Sequence, residues 1–350
     1  MKSPPAAMGV NALLNTLGTR CRTLPLVILY VTEGCNLRCI SCSYRNPAPG
    51  ELTLGELERL AGTLKGLGLR HIVYSGGEPL LRKDFPEICT LFDTPGIRQT
   101  LLTNGLLLEK RFEEIARFFN EMILSIDGPD GETHNAIRGV DAFSQIVRGI
   151  RLAVSSGVRA RISVRTVVQK KNFRSLPAMV RFARGLGVSG ISFLAADVRS
   201  QGFGRAGRGR AAPDDTLTLD EAEIAEFRAI LARMSAEFRE EFSDGFIAES
   251  PAKLVRLADY FEALNGAGPF PPTSCNAPMV STVITATGDL LPCYFLPRFG
   301  NIREAPIGDL LNDPAARSTR SQVRAGTPEA CRTCVCTLNV RPSRALAGRF

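Results

Sequence analysis

The chain has 350 residues, of which 44% are hydrophobic and 22% charged, and its formal net charge is +8 at pH 7. This composition excludes a disordered or low-complexity chain and suits one large domain with a smaller one. No apolar run approaches the roughly 18 to 20 residues of a membrane-spanning helix, and residues 1–18 lack the apolar core of a secretory signal. We therefore expect a cytoplasmic protein, whose ten cysteines are metal ligands or free thiols and not disulfides.

Residues 1–25 form an N-terminal extension, and residues 26–196 then alternate short strand-like runs with helical stretches. The predicted strands are 26–32, 71–74, 98–102, 122–126, 160–168 and 190–195. The helices predicted between them are 53–67, 84–92, 109–119, 141–156 and 173–186. Six such alternations predict an α/β fold with a parallel sheet, whose functional site lies at the carboxyl ends of the strands.

Three cysteines, Cys35, Cys39 and Cys42, directly follow the first predicted strand. Three thiolates on one short loop can bind three corners of a four-iron cluster and leave the fourth iron open for another ligand. Zinc is the competing metal, but a structural zinc site needs four ligands, and neither His71 nor His134 lies near this loop. The loop is therefore interpreted as a cluster-binding loop.

An arginine-rich and glycine-rich loop, residues 197–216, follows the alternating region. Glycines separate several of its arginines, which do not share a helix face, so the charge excess does not predict a specific nucleic-acid partner. We interpret the loop as a solvated linker, with a mobile loop over an anionic substrate as the alternative. Residues 217–270 are then predicted to form a helical linker. The arginines of the loop are Arg199, Arg205, Arg208 and Arg210.

Residues 271–350 are predicted to be a small cysteine-rich domain, with strands near 280–286 and 290–294 that form a hairpin. So small a unit cannot bury enough apolar surface for a stable hydrophobic core, so a bound metal that stabilises the domain is reasonable. Outside the cysteine groups, Cys21 and Cys89 stand alone and are expected to be plain thiols. The cysteines of this last part are Cys275, Cys293, Cys331, Cys334 and Cys336.

The order of motifs in residues 26–196 resembles the radical S-adenosylmethionine (radical SAM) superfamily. Cys35-x3-Cys39-x2-Cys42 is similar to that family's signature. It is followed by "YSGGEP" (74–79), "LLTNG" (101–105), "LSIDGP" (124–129), "THNAIRG" (133–139) and "RTVVQKKNF" (165–173). The resemblance implies a partial (β/α)6 TIM-like barrel, a 4Fe-4S cluster on the three cysteines, and S-adenosylmethionine at its open iron.

The resemblance also implies which residues contact S-adenosylmethionine. The turn Gly76-Gly77-Glu78-Pro79 is expected to meet the amino group, since glycines allow close backbone approach and a carboxylate can accept from an ammonium. The family usually has an aromatic residue before the third cysteine, where this chain has Ser41, with Tyr44 as a possible substitute. The other expected contacts, with the methionine, its carboxylate or the ribose, are Asn104, Ser125, Asp127, Arg138 and Arg165.

The C-terminal cysteines resemble the auxiliary-cluster domains called SPASM and, in shortened form, twitch. Cys275, twelve residues, Gly288, four residues and Cys293 precede "FGNI" and Cys331-x2-Cys334-x-Cys336. A full SPASM domain carries seven or more cysteines and two clusters, whereas five occur here. The resemblance therefore implies one auxiliary 4Fe-4S cluster held by four of the five, and one structural zinc ion is the alternative.

The resemblance further implies an enzyme. An external donor of flavodoxin or ferredoxin type reduces the first cluster, S-adenosylmethionine is cleaved to a 5′-deoxyadenosyl radical, and this radical removes a hydrogen atom from a substrate. The auxiliary cluster can accept an electron. Asp289 and Tyr294 lie beside the auxiliary cysteines as weak acid or base candidates, with a turn aspartate and a packed tyrosine as the plainer interpretation.

Peptide-modifying relatives often carry a leader-binding domain, whereas about 25 residues precede the first predicted strand here. This difference favours a small-molecule substrate, such as a sugar, a nucleoside or a natural-product intermediate. Maturation of a peptide or protein, including sulfatases, is the alternative. A non-enzymatic iron-sulfur electron carrier and a zinc-stapled binding module are the remaining hypotheses.

Overall fold

The computed structural model describes residues 5–200, 202–205, 216–341 and 343–344, so Arg208 and Arg210 of the predicted loop lie outside it. Within these residues nine strands form one sheet. The strands are β1 (Leu26–Thr32), β2 (His71–Gly76), β3 (Arg98–Thr103), β4 (Glu121–Ser125), β5 (Arg161–Val168), β6 (Ile191–Ala195), β7 (Ser281–Ile284), β8 (Asp289–Leu291) and β9 (Gly300–Asn301).

The longer helices pack around this sheet, and four short helices lie among the connections. The longer helices are α1 (Pro5–Leu17), α2 (Leu54–Gly66), α3 (Phe85–Phe92), α4 (Leu108–Ile115), α5 (Gly131–Arg138), α6 (Phe143–Ser155), α7 (Leu176–Leu186), α8 (Glu221–Glu237), α10 (Pro251–Leu264) and α13 (Pro314–Arg324). The short ones are α9 (Arg239–Ser243), α11 (Ala277–Val280), α12 (Ile307–Leu310) and α14 (Glu329–Arg332). No helix in the described ranges is long and apolar enough to cross a membrane.

The first six strands confirm the predicted α/β fold. They lie side by side in chain order, and every neighbouring pair from β1 to β6 is parallel. All seven residues of β1 are buried, as expected for a strand covered on both faces. The sheet does not close on itself, so the architecture is an open, partial barrel.

The C-terminal hairpin continues the same sheet. Strand β7 pairs in parallel with β1, from Leu26 opposite Ser281 to Leu29 opposite Ile284, and β8 then pairs antiparallel with β7. The hairpin was predicted, but its attachment to β1 was not. Strand β8 ends at Leu291 because Pro292 has no N–H for the ladder, and Cys293 therefore lies in the following turn.

Helix ends account for most other differences from the prediction. The predicted helix 109–119 ends at Ile115 and tightens into a 3-10 turn over residues 116–118. Helix α5 was not predicted, although Asp130 caps its start by accepting from Thr133 N and Gly139 ends it with φ +71°. This short helix matters because it carries His134 and Arg138 to the edge where the strands end.

Candidate functional site

The cysteine loop begins where β1 ends and lies against the end of α5. Its backbone amides at Arg38 and Ile40 donate to the carbonyls of Arg138 and Ile137, at 2.9 and 3.1 Å. The Arg45 guanidinium donates to the carbonyls of Cys39 (3.2 Å) and Cys42 (3.0 Å). Arg45 therefore ties the loop together, a role that the sequence analysis missed because an arginine beside a cysteine motif carries no spacing signal.

The Gly76-Gly77 turn packs directly on the start of the cysteine loop. Gly77 N donates to Thr32 O, and Glu78 N donates to Gly34 O, both at 2.8 Å. A Cβ atom at Gly77 would lie 2.1 Å from Gly34 O, and one at Gly76 would lie 2.2 Å from Thr32 O. No side chain fits these distances, so both glycines are needed for the turn to hold the loop.

Glu78 is fully buried, and its carboxylate joins the turn to the end of β3. It accepts from Leu80 N (3.0 Å), from the Thr103 hydroxyl (2.7 Å) and from Asn104 N (2.7 Å). Burial raises the pKa of Glu78, and these hydrogen bonds oppose the increase. Protein donors therefore already bind the Glu78 carboxylate. Its expected direct contact with the amino group of S-adenosylmethionine stays a prediction.

Arg138 and Asp127 form a buried ion pair, with Arg138 Nε 2.7 Å from Asp127 Oδ2. The other carboxylate oxygen of Asp127 accepts from Val167 N at 2.8 Å. Burial by itself would lower the pKa of Arg138, but Asp127 and then Cys39 raise it above its usual range. Arg138 Nη1 lies 3.7 Å from Cys39 Sγ, so a permanent cation stands beside the cysteine loop.

The remaining expected contacts spread along the same edge. Asn104 Nδ2 donates to Asn36 Oδ1 at 2.7 Å and lies 3.9 Å from Cys35 Sγ, so it touches the cysteine loop. Ser125 ends β4 opposite Arg165 of β5. The Arg165 Nε donates to Ser192 Oγ at 3.1 Å. Asn104 thus contacts the cysteine loop, whereas Ser125 and Arg165 lie farther along the same edge of the sheet.

The donor set of the loop fits an iron-sulfur cluster. The pKa of Cys35 is raised to about 11, chiefly by burial and also by the charges of Glu78, Cys39 and Cys42. The three thiols are therefore near one another, with the Arg138 guanidinium beside them to offset the negative charge of thiolates. In the described ranges no three His, Cys, Asp or Glu side chains converge on a single ion, so the fit rests on donor chemistry and surroundings.

All five C-terminal cysteines line one cavity of about 70 Å³. Its other walls are mostly apolar and include Ile28, Val283, Leu296 and Leu338. Burial raises the pKa of Cys293 to about 11, and the neighbouring thiols Cys275 and Cys331 add to the increase. A cavity lined by sulfur and hydrocarbon fits the predicted auxiliary cluster.

Four aromatic rings pack on one another beside the cysteine loop and the auxiliary cavity, and we call them the aromatic wall. Tyr30 stacks on Tyr294 with ring centroids 6.0 Å apart, and its ring meets Tyr44 edge-on at 6.1 Å. Phe203 stacks on Tyr294 at 6.4 Å. Tyr44, the possible substitute near adenine, thus packs on Tyr30 at one end of the wall. Through Tyr44 the wall adjoins the cysteine loop, and through Tyr294 it lines the auxiliary cavity.

The described start of the arginine-rich loop is fixed over the cysteine loop. Phe203 O accepts from Ser43 N at 2.9 Å, and the Phe203 backbone has φ +59°. Arg205 is 5% exposed and forms a buried ion pair with Asp197. Both sequence interpretations, a solvated linker and a supply of cations for an anionic substrate, are therefore wrong for Arg205, because its charge is already paired inside the protein.

The two weak acid or base candidates differ in their surroundings. Asp289 accepts from Arg298 Nη1 at 2.5 Å and from Asn301 Nδ2 at 3.0 Å, which matches the plainer interpretation of a structural aspartate in the hairpin. Tyr294 belongs to the aromatic wall and also lines the auxiliary cavity. Of these two residues, only Tyr294 therefore lies at the aromatic wall and the auxiliary cavity.

Two protein-family models match the chain on its two cysteine sets. The Radical SAM superfamily matches residues 29–183, and SPASM, an iron-sulfur cluster-binding domain, matches residues 275–335. The first range contains the cysteine loop and the strand ends around it. The second range contains the hairpin and begins at Cys275.

Curated relatives match about half of the chain. The AdoMet-dependent heme synthase of Nitratidesulfovibrio vulgaris is 31% identical over 193 residues, which are 53% of this chain and 51% of that protein. The GTP 3′,8-cyclase of Marinobacter nauticus is 35% identical over 180 residues, which are 49% of this chain and 54% of that protein. The chain thus spans about half the length of the curated relatives it matches.

Solved structures share the fold over most of the chain. The structure of anSMEcpe with bound AdoMet superimposes with a TM-score of 0.64 at 20% identity and covers 92% of this chain and 90% of that one. Streptococcus suis SuiB bound to S-adenosylmethionine gives 0.62 at 17% identity, covering 91% of this chain and 73% of that one. At these identities the likeness concerns the fold alone.

Proposed function

We propose that this chain, which matches the Radical SAM superfamily over residues 29–183 and an SPASM iron-sulfur domain over residues 275–335, is a radical SAM enzyme that removes a hydrogen atom from a small molecule bound against the aromatic wall. The observation that carries the proposal is the position of the wall beside both cysteine sets. Tyr44 lies two residues after Cys42 and packs on Tyr30, and Tyr294 stacks on Tyr30 and lines the auxiliary cavity. A substrate placed there can meet both redox groups.

Cys35, Cys39 and Cys42 would hold the 4Fe-4S cluster, with S-adenosylmethionine at the iron that has no cysteine. When bound, cluster and S-adenosylmethionine supply the 5′-deoxyadenosyl radical that removes the hydrogen atom. Arg138 offsets the negative charge of the cysteine loop from 3.7 Å. The Phe203 carbonyl accepts from Ser43 N at 2.9 Å and ties the described start of the arginine-rich loop to the cysteine loop.

The wall favours a small, hydroxyl-bearing anion, such as a sugar, nucleoside or nucleotide derivative. The wall contains three phenols, those of Tyr30, Tyr44 and Tyr294, and a phenol hydroxyl can donate to or accept from a hydroxyl-bearing ligand. The Arg165 charge acts on Tyr294 and supplies a cation at the same place. The relatives named GTP 3′,8-cyclase are consistent with a nucleotide.

A peptide substrate is the second candidate. SuiB, of the same fold, has been solved bound to precursor peptide SuiA, and anSMEcpe with the Cp18Cys peptide. The two classes can be separated by adding the low-mass fraction or the peptide fraction of host extract to the reduced enzyme. Faster 5′-deoxyadenosine formation with the low-mass fraction supports the small molecule, and faster formation with the peptide fraction supports the peptide.

The proposal includes an external one-electron donor of flavodoxin or ferredoxin type and a cytoplasmic location. The first cluster needs an electron for each cleavage, and the redox poise of the cytoplasm keeps cysteines reduced. All ten cysteines are free in the structure, which suits that compartment.

The decisive experiment measures iron and cleavage in two forms of the chain. Anaerobically reconstituted wild type should hold about eight irons, four per cluster, and with dithionite should convert S-adenosylmethionine to 5′-deoxyadenosine. Replacing Cys35, Cys39 and Cys42 together by alanine should remove about half the iron and all cleavage. Cleavage that persists in the triple variant would contradict the proposal, and so would a wild type that binds the iron but does not cleave.

A further inference from the structure

A cavity of about 160 Å³ lies where three segments of the chain meet, and we call it the seam cavity. Helix α10 forms one wall, residues 270–271 form a second, and residues 332–335 with Thr337 form the third. Ala195, the last residue of β6, also lines it, so the cavity lies at the edge of the sheet where the strands end. One water needs only about 10–15 Å³, so a group of several heavy atoms fits here.

Hydrogen bonds tie the walls of the seam cavity to one another. The Arg256 guanidinium on α10 donates to the carbonyl of Pro272, which directly follows the second wall. The Thr273 hydroxyl then donates to Cys331 O at 2.8 Å, next to the start of the third wall. Tertiary contacts therefore build the cavity, which is not a gap between unconnected segments.

Three cations line the seam cavity. Lys253 and Arg256 lie on α10, Arg332 lies on the third wall, and no Asp or Glu is among the described residues that line it. Arg332 donates to Thr327 O at 3.0 Å, and Arg256 likewise donates to a neutral carbonyl. Lys253 lies 3.6 Å from the Glu249 carboxylate. At most one of the three charges is therefore paired within the described chain, and the cavity is positively charged.

Tyr260, which is also on α10, gives an independent sign of a ligand. It lines the cavity, is 3% exposed, and its ring packs on that of Phe270, which also lines the cavity, with centroids 5.8 Å apart. The hydroxyl of Tyr260 is buried and makes no hydrogen bond to the residues that the structure describes. The Val198 amide acts on this hydroxyl without completing a hydrogen bond. A buried phenol in this state is costly unless a ligand or a water completes it.

These groups suit a phosphate better than a carboxylate. A phosphate monoester carries a charge of about −1.5 to −2 at pH 7 and three strong acceptor oxygens, which matches several cations and one hydroxyl donor. The planar guanidinium of an arginine can bind two of those oxygens at once. A carboxylate has a single charge and two oxygens, so it would leave positive charge in the cavity unpaired.

We propose that the seam cavity is a binding site for a phosphate group, either free or carried by a phosphorylated small molecule. Lys253, Arg256 and Arg332 are its cations, and the Tyr260 hydroxyl is its neutral donor. Cys334 lines both this cavity and the auxiliary cavity, so the two adjoin. The site is independent of the proposed function, because its binding is measured without cleavage of S-adenosylmethionine.

Calorimetric titration of the anaerobically reconstituted full chain, in a buffer free of phosphate and sulfate, tests the site with inorganic phosphate as the probe. Arg256→Gln and Arg332→Gln should each raise the dissociation constant about tenfold, because each removes a charge-assisted hydrogen bond. Arg148→Gln is the matched control, since it removes an exposed arginine that is paired with Glu109, and it should bind as wild type does. Absent binding in wild type, or equal binding in all variants, would overturn the proposal.

Tyr260→Phe removes one oxygen atom and isolates the role of the phenol. Without phosphate the variant should unfold at a temperature no lower than wild type, because the lost hydroxyl made no hydrogen bond in the described chain. With phosphate its melting temperature should rise less than that of wild type, and its dissociation constant should be about three- to tenfold higher. A melting temperature lowered equally in both conditions would mean that the tyrosine is only structural and would contradict its assigned role.

Ribose 5-phosphate distinguishes the two sources of the phosphate group. Tighter binding of ribose 5-phosphate than of inorganic phosphate would identify a phosphorylated small molecule as the ligand, and equal or weaker binding would identify free phosphate. Ribose and acetate should bind at least tenfold more weakly than either, because the first has no charge and the second has only one. Ribose or acetate that binds as tightly as phosphate would show that the cavity does not select a phosphate group, and the proposal would be wrong.

Discussion

The two cysteine regions of this protein hold thiols in opposite surroundings. The loop with Cys35, Cys39 and Cys42 stands among buried charges, with Glu78 and the Arg138–Asp127 ion pair beside it. The auxiliary cysteines line a cavity whose other walls are mostly hydrocarbon.

The difference shows what each region can bind. Buried charges are retained only where partners satisfy them, and here hydrogen bonds and an ion pair do so around the cysteine loop. Such an edge can receive a polar cofactor with charged ends. An apolar shell instead limits water and sets the dielectric around a cluster, which suits a group that exchanges only electrons.

The largest effect is expected from a single methyl group in the first region. Gly77→Ala puts a Cβ atom 2.1 Å from Gly34 O, so the turn must move away from the cysteine loop. We expect cleavage of S-adenosylmethionine to fall by about 100-fold or more, since a shift of about 1 Å at a reacting centre costs that much.

The auxiliary cluster should survive this change, so that only the iron of the first region falls. Gly185→Ala on helix α7 is the matched control, because its Cβ meets no atom within 4 Å. Full cleavage in Gly77→Ala, measured as 5′-deoxyadenosine by chromatography, would show that the turn is not the support inferred here.

In the second region, truncation of an apolar side chain should matter more for stability than for cleavage. Leu296 is 8% exposed and lines the auxiliary cavity. Leu296→Ala should lower the free energy of unfolding by about 2–5 kcal/mol and leave cleavage of S-adenosylmethionine unchanged. Urea denaturation measures the first quantity. Leu17→Ala, at a site 68% exposed, is expected to stay within about 0.5 kcal/mol of wild type.

The smallest effect concerns pH and the polar network of the first region. Burial and then the charge of Arg138 lower the pKa of His134 from 6.5 to about 3. In the unfolded chain His134 therefore binds a proton near pH 6.5, whereas in the folded protein it binds one only near pH 3. Stability should fall as pH decreases through this window, by at most about 1.4 kcal/mol per pH unit from this group.

His134→Gln isolates this contribution, since the amide can still accept from Asp127 N as His134 Nδ1 does. Urea denaturation of the variant should show a shallower decrease in stability from pH 6.5 to 4.5 than wild type, with parallel behaviour above pH 7. Equal slopes would mean that the histidine is protonated in the folded protein.

Much of the fold followed from local pattern. Six predicted strands coincide with β1 to β6 within about two residues, because fully or alternately buried β-branched runs are local signals. The predicted hairpin was also confirmed. Helix α5 was missed, since its eight residues make little more than two turns and carry little periodicity.

The sequence by itself determined the resemblance to radical SAM enzymes, the α/β class and the two cysteine sets, because ligand spacing and strand order are written in consecutive residues. Tertiary structure alone decided that β7 joins β1 and that Tyr294, which follows Cys293, stacks on Tyr30 of β1. Tertiary structure also paired Arg138 with Asp127, placed hydrogen-bond donors on the Glu78 carboxylate and buried Arg205. These outcomes depend on which polar groups meet once water is excluded, and spacing along the chain carries no record of that.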